Sequence, residues 1–295
     1  RALAPLDSNQ DWPPDLTSLT LSVDRADLVS FGLPNFLEHL HLFYSKSINA
    51  RDVIPWFSMP TSLRSLRVWN LRNMNLEQLQ SLPPGVQLLH LHLKTFFDPL
   101  PSNLTIIQAL PPHLTRVNSF FAVETEEEAL TLPRGISQLH LDVPPLLLPF
   151  CPPELTVLHL NLSKGTLTRL PFSLTELSID SPSKPELELI SELPVLQKLI
   201  MRKGDMVSAI RNVPASVTSL ICSGSRIGSQ YDLALLPRGL TKLELQTNSI
   251  SIGSIGLSLL PSRLTFLDLA SVSPTSELNG WTKHLPRSLT NLRLV

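Results

Sequence analysis

The sequence contains little charge, few aromatic side chains and almost no cysteine. Charged residues make up 17% and aromatic residues 6% of the 295 positions, and the formal net charge is −1. This balance gives no electrostatic reason to predict binding of nucleic acid or of an anionic membrane surface. No run of about 18 apolar residues occurs, so no membrane insertion is predicted. The small number of glycines, 11, excludes a collagen-like chain.

Leucine and proline are abundant instead, with 62 leucines and 27 prolines, and they recur in register. The frame L-P-x-x-L-T-x-L-x-L repeats thirteen times with a mean period of about 23 residues, a spacing typical of solenoid proteins. The prolines that begin the thirteen copies are Pro13, Pro34, Pro60, Pro83, Pro111, Pro133, Pro152, Pro171, Pro194, Pro214, Pro237, Pro261 and Pro286.

Each copy predicts one short β-strand with a single apolar face. We number the first apolar residue after P-x-x as position one, so that positions four and six are also apolar, with Ser119 the single exception. Side chains alternate along a strand, and positions three, five and seven therefore face the opposite way. One such strand cannot bury its leucines alone, whereas stacked copies form a continuous core. A connection separates successive strands of equal direction, so the sheet is predicted to be parallel.

This frame resembles the leucine-rich repeat, and among such repeats it is most similar to the proline-led FNIP-type repeats of slime moulds and the short L-P-x-type repeats of bacterial effectors. The resemblance covers Trp12 to Val295. It implies an α/β leucine-rich-repeat solenoid, or horseshoe, with a curved parallel sheet on the concave face and short helices or irregular chain on the convex face. Residues 1–295 are expected to form a single domain.

The connections between copies differ in predicted structure. Residues 75–82, 186–193 and 206–213 are each predicted to form about two turns of helix on the outer face. The proline-rich stretch 143–153 is predicted to be extended or polyproline-like. The acidic run 124–128 is expected to be a solvated loop.

The two cysteines predict buried thiols. Cys222 occupies position six of its copy, Cys151 replaces the leucine that precedes the frame's proline, and three copies separate them. Small buried hydrophobic residues are therefore favoured over a disulfide or a nucleophile. The cysteine-rich caps of secreted leucine-rich-repeat proteins are not seen, which favours a reducing compartment and a cytoplasmic location. No cofactor is predicted.

The strand face that points away from the core is the predicted binding surface. In copies two to seven it is rich in histidine, arginine and aromatic residues, which are enriched at binding hot spots, and Trp69 is the predicted anchor. An equally weighted alternative is that histidine is only a neutral filler on a half-exposed sheet. The candidate partner-binding residues are His39, His41, Phe43, Tyr44, Arg67, Trp69, His90, His92, Arg116, Phe120, His140, Asp142 and His159.

The histidines raise two further hypotheses. The first is zinc binding, because His39/His41 and His90/His92 are each i, i+2 pairs on one face, and His140, Asp142 and His159 are expected on adjacent strands. An open sheet does not impose tetrahedral geometry, however, and no metal site is assigned. Protonation of neighbouring histidines is expected to change binding between about pH 7.5 and 5.5.

These observations predict a non-enzymatic scaffold that binds a protein partner through its concave face. No nucleophile–base pair, glycine-rich phosphate loop or H-E-x-x-H motif is present, so no catalytic residue is assigned. The alternative is a substrate-recognition or regulatory part of a larger enzyme, such as an effector ubiquitin ligase or a GTPase regulator. An exposed strand edge is expected at Val295, which predicts either a continuing chain or a homodimer formed through that edge.

Overall fold

The computed structural model describes residues 12–23, 33–49, 59–72, 75–93, 102–161, 167–203, 206–223, 230–246, 251–252, 254–269, 273–274 and 281–294. Thirteen strands form one sheet in which strand order follows chain order. All the strand pairs whose register is described are parallel, so the predicted parallel sheet is confirmed.

The chain divides into two compact units. The first unit comprises Arg1–Asp142 with Phe150–Glu154, and the second comprises Val143–Pro149 with Leu155–Val295. The strands of the first unit are β1 (Ser18–Val23), β2 (His39–Asn49), β3 (Ser65–Arg72), β4 (Leu88–Leu93), β5 (Arg116–Ala122) and β6 (Gln138–Asp142).

The second unit contains the remaining strands. In the large sheet these are β7 (Val157–Asn161), β8 (Glu176–Asp180), β9 (Lys198–Arg202), β10 (Ser219–Ser223), β11 (Lys242–Gln246), β13 (Phe266–Leu269) and β15 (Asn291–Leu294). A separate two-stranded sheet pairs β12 (Ser251–Ile252) with β14 (Ser273–Pro274).

The P-x-x-L part of the frame forms a turn. In eleven copies the backbone N–H of position one donates to the carbonyl of the frame's proline at 3.0–3.3 Å, as Leu240 does to Pro237. This i to i+3 bond closes a β-turn that begins at the proline. Proline fits there because only its carbonyl is used, and the N–H that it lacks is not needed.

Position two joins successive copies through its carbonyl oxygen. In eleven copies this oxygen accepts the N–H groups of positions two and three of the next copy, at 2.7–2.9 Å and 2.9–3.1 Å. Where position two is threonine, its hydroxyl donates to the same oxygen in six copies, at 3.0–3.3 Å. The recurrent threonine therefore adds a third hydrogen bond to each such carbonyl, beyond its suitability for extended backbone.

The core consists of positions one, four and six, as the frame predicts. Position-four residues from Leu40 to Leu267 are at most 1% exposed, and position-one residues from Leu37 to Leu264 are fully buried. Strand pairing aligns equal positions, so that Leu243 lies between Leu220 and Leu267. The stacked leucines thus bury one another across copies, which explains why a single copy is not a stable unit.

Three position-eight residues of the described chain have positive φ. These residues are Asn70 (65°), Ser181 (53°) and Lys203 (53°). Ser181 and Lys203 directly follow the last residues of β8 and β9, where the left-handed conformation turns the backbone out of the strand direction. Asn70 instead lies within β3, at the register shift between Trp69 and Leu71. Asn70 suits the left-handed conformation because asparagine tolerates this region, and its side-chain amide also donates to the carbonyl oxygen of Tyr44 at 2.5 Å.

Short helices occupy the connections. They are α1 (Leu76–Gln80), α2 (Asn103–Gln108), α3 (Glu126–Thr131), α4 (Lys184–Ser191), α5 (Met206–Arg211) and α6 (Ser254–Ser258), together with 3-10 turns at Pro145–Phe150, Gln230–Leu235 and Trp281–His284. The three connections predicted to be helical contain α1, α4 and α5. In the part of the chain that the structure describes, no helix is long and apolar enough to cross a bilayer.

Two predictions about the connections are wrong. The proline-rich stretch forms a 3-10 turn at Pro145–Phe150, where Leu147 donates to the carbonyl of Pro144 at 2.9 Å. A 3-10 turn accepts prolines because their fixed φ lies within its range. The acidic run opens α3 instead of forming a loop. Its Glu128 is 7% exposed, and its carboxylate accepts the backbone N–H groups of Glu124 at 2.6 Å and Thr125 at 3.1 Å.

Candidate functional site

We call the side chains at positions three, five and seven the open face of each unit. Alternation along the strands places them opposite the leucine core. The register within the first unit aligns His41, Arg67, His90, Asn118 and His140 as successive position-five residues of β2 to β6. These side chains are all half-buried. The position-five side chains of β2 to β6 thus form a row across the open face of the first unit.

An aromatic stack lies beside this row. The rings of Phe43 and Trp69 are 6.0 Å apart between centroids and are inclined by 12°. Trp69 also lies 4.6 Å from the ring of His90, with an inclination of 34°. On the far side of His90, its Nδ1 atom is 2.9 Å from Nδ2 of Asn118. The amide nitrogen is the donor, so Nδ1 accepts, and this contact orients the imidazole.

The stack presents a partly exposed aromatic surface on a rigid support. Phe43 is 40% exposed, whereas Trp69 and His90 are half-buried. Parallel and tilted ring contacts at these separations are favourable. Because the three rings come from three neighbouring strands, strand pairing holds them in place before any partner arrives.

Positive charge collects around His41. Burial of the imidazole, the neighbouring guanidinium of Arg67 and the nearby His39 lower the pKa of His41 below its ordinary value. His39 is about half exposed, and its Nε2 lies 4.0 Å from a carboxylate oxygen of Glu38. Arg67 lies directly across the strand pair from His41. Its Nε atom is buried and has no hydrogen-bond partner among the described residues.

The remaining candidate residues have different outcomes. Arg116 is exposed and lies opposite Leu88, and His140 is half-buried opposite Asn118. His159 is half-buried in the second unit, opposite Ser178. The side chains of His92, Phe120 and Asp142 lie outside the described part of the structure. Their roles in binding stay predictions.

Tyr44 does not belong to the open face, and its assignment as a partner-binding residue is wrong. It occupies position eight, which shares the core side with positions four and six, and its side chain is 1% exposed. Burial raises the pKa of its phenol above the ordinary value. The alternation of the strand, continued one step beyond position seven, would have placed Tyr44 correctly.

The open face of the second unit contains paired charges, a feature that the sequence did not assign. Among its described side chains are four ion pairs, with N–O distances of 2.7 Å for Lys198–Glu176, 3.9 Å for Arg202–Asp180, 2.8 Å for Lys242–Glu244 and 3.7 Å for Arg293–Asp268. Lys242 also lies 4.9 Å above the ring of Phe266. Three of the pairs join adjacent strands, so their identity depends on the register between copies.

The zinc hypothesis for His140, Asp142 and His159 stays untested, because the side chain of Asp142 lies outside the described residues. Among the described residues, no group of three or more metal-ligating side chains lies together. Cys151 and Cys222 are free and buried, as the sequence predicts. Burial raises the pKa of each thiol to about 12, which disfavours the reactive thiolate.

The sequence matches no protein-family model and no curated protein. Among solved structures it is similar to the leucine-rich repeat-containing protein LegL7 from Legionella pneumophila, at 14% identity and a TM-score of 0.43, over 85% of this chain and 89% of that one. It is also similar to an internalin from Listeria monocytogenes, at 16% identity and a TM-score of 0.46, over 95% of this chain and 82% of that one.

A leucine-rich repeat protein from Leptospira interrogans gives a comparable overlap, with 15% identity and a TM-score of 0.47, over 94% of this chain and 77% of that one. Identities this low concern the fold alone and identify no relative. The repeated frame, the parallel thirteen-stranded sheet and the short connecting helices are the chain's own features. Together they establish the leucine-rich-repeat solenoid fold of the α/β class.

Proposed function

We propose that the protein is a non-enzymatic scaffold that binds a protein partner through the open face of its first unit. The observation that carries this proposal is the stack of Phe43, Trp69 and His90, which extends to Asn118. A partly exposed aromatic cluster on a rigid sheet, with an arginine beside it, has the composition of a binding hot spot. On the open face of the second unit, the described lysines and arginines are already paired with carboxylates, so fewer unpaired charges are available to a partner.

The test is affinity capture from a lysate of the source organism with three baits. These are the wild-type chain, the double variant Trp69→Ala, His90→Ala, and the control Phe266→Ala, which removes an aromatic ring from the open face of the second unit. We expect a protein that is retained by the wild type and by Phe266→Ala but lost from the double variant. Mass spectrometry then identifies it, and calorimetry with purified components confirms direct binding.

Thermal melting of each bait shows that the variants are folded. Equal retention by the wild type and the double variant would contradict the proposed site. The role of recognition or regulatory part of a larger enzyme would use the same face, and it stays a prediction. A homodimer formed through the C-terminal strand edge also stays a prediction, and sedimentation over a range of concentrations tests it.

A further inference from the structure

The described charged side chains are paired on the open face of the second unit but not on that of the first. In the second unit the described open-face side chains include four cations and four carboxylates, and each cation is paired with one carboxylate. In the first unit the described open-face side chains include Arg67, Arg116 and four histidines but no carboxylate. The first unit therefore carries cationic groups that its own described open face does not neutralise.

Arg67 is the main cationic side chain on the open face of the first unit that lacks a described carboxylate partner. The register places it between His41 on β2 and His90 on β4, so imidazoles flank it on both sides. No described residue forms an ion pair with it, and its buried Nε–H has no acceptor among the described residues. An unsatisfied buried donor is costly, and in a native structure it requires an explanation. The buried Nε–H is itself closed to a ligand, but the half-buried side chain carries a charge that no described carboxylate pairs with. An arriving carboxylate gains more at such a guanidinium than at one that is already paired.

The aromatic stack limits what kind of anion fits. Trp69 follows Arg67 by two residues on the same strand and on the same face, and it contacts Phe43 and His90. A ligand that reaches Arg67 from solvent is therefore next to a partly apolar surface. A carboxylate side chain next to an aliphatic or aromatic side chain can contact both the guanidinium of Arg67 and the apolar surface of the stack. A small free anion can contact only the guanidinium.

We propose that the open face of the first unit recognises an acidic peptide segment, in which a glutamate or aspartate carboxylate binds Arg67 and a neighbouring apolar side chain packs on Trp69 and Phe43. This proposal rests on the proposed function and specifies the chemistry of the partner. Arg116, exposed on β5, supplies a second cation along the same face.

The experiment uses the full chain and a defined probe. The probe is the fluorescein-labelled, C-terminally amidated peptide Gly-Ser-Glu-Leu-Glu-Gly-Ser, and its matched control has glutamine at both glutamate positions. Fluorescence anisotropy at low salt should give a dissociation constant below about 1 mM for the acidic peptide, and binding at least about tenfold weaker for the glutamine peptide. This comparison requires only the wild-type protein, so it does not depend on the folding of any variant.

Two arginine variants then locate the site. Arg67→Gln should weaken the acidic peptide about tenfold. The matched control Arg202→Gln, whose arginine lies 3.9 Å from Asp180 on the second unit's open face, should leave the affinity unchanged. Thermal melting of both variants shows that they are folded. Equal binding of the two peptides by the wild type, or equal weakening by the two variants, would overturn the proposal.

Competition distinguishes the class of ligand. Inorganic phosphate and a short single-stranded RNA are added to the bound acidic peptide. A peptide held by Arg67 alone would be displaced by phosphate as easily as an anion bound to any exposed arginine. Such displacement would show that the aromatic stack contributes nothing to peptide binding, and it would overturn the peptide assignment. Tighter binding of the RNA would do the same. Failure of the peptide while the Trp69, His90 variant still loses its captured protein would refute this chemistry alone and leave the proposed function intact.

Discussion

Replacement of a position-four leucine measures how strongly neighbouring copies depend on one another. Leu243 is fully buried and lies between Leu220 and Leu267 in the sheet register. Leu243→Ala removes its apolar volume from a core that strands on both sides prevent from collapsing. Deletions of this kind cost about 2.7–5.0 kcal/mol, and we expect about 3 kcal/mol or more here.

The matched control is Leu292→Ala, the same substitution at position four of β15. Leu292 is 38% exposed, and Leu267 is its register partner in the described sheet. Because this side chain remains partly in water and β15 has one register partner, β13, in the described sheet, we expect a loss of about 1 kcal/mol. Urea denaturation followed by far-ultraviolet circular dichroism gives the two free energies of unfolding. Equal losses for the two variants would refute the argument that stacked copies bury one another.

Three further predictions concern hydrogen bonding, pH and thiol access. Thr241→Val removes the hydroxyl that donates to the Thr218 carbonyl at 3.0 Å, and it should cost about 0.5–1 kcal/mol in denaturant titrations, because that carbonyl keeps two N–H donors. The pKa of His41 is lower in the folded protein than in the unfolded chain. Its contribution to stability is therefore present above about pH 6.5 and is lost as pH falls below that value. His41→Asn should reduce this acid-induced drop in melting temperature, and an unchanged pH profile would contradict the assignment. Cys222 is fully buried, so iodoacetamide should modify it at least about a hundredfold faster in denaturant than in buffer, as followed by mass spectrometry.

The core and the sheet were predictable from the sequence because their signal is local and repeated. Positions one, four and six are apolar in copy after copy, and strand alternation alone assigns them to one side. The same rule places Arg67 and Trp69 on the open face. It also places Tyr44 in the core. Tyr44 was wrongly predicted to bind a partner because the alternation of side chains was applied only up to position seven, and Tyr44 is at position eight.

The remaining features depend on contacts between copies, which the frame does not encode. The ion pair of Lys198 with Glu176 exists because the register sets equal positions of β8 and β9 side by side. The threonine hydroxyl bond that six of the position-two carbonyls accept depends on the same alignment. The positive φ of Asn70 accompanies the register shift between Trp69 and Leu71 within β3, and the pairing with β4 decides where that shift occurs. Sequence periodicity predicts the copies, whereas their stacking decides these interactions.

Different positions of the frame stabilise the fold and form the open face, so a binding test on an open-face variant can be separated from an effect on folding. Buried leucines at positions one, four and six and backbone bonds at position two hold the fold together, and none of these groups comes from the open face. Side chains at positions three, five and seven therefore vary with a small effect on the core, so that two units with the same internal frame carry different surfaces. In the second unit that surface pairs its own charges, whereas in the first unit Arg67 lies among imidazoles and aromatic rings. A loss of binding on substitution of Arg67 or Trp69, with melting unchanged, consequently reports on recognition and not on folding.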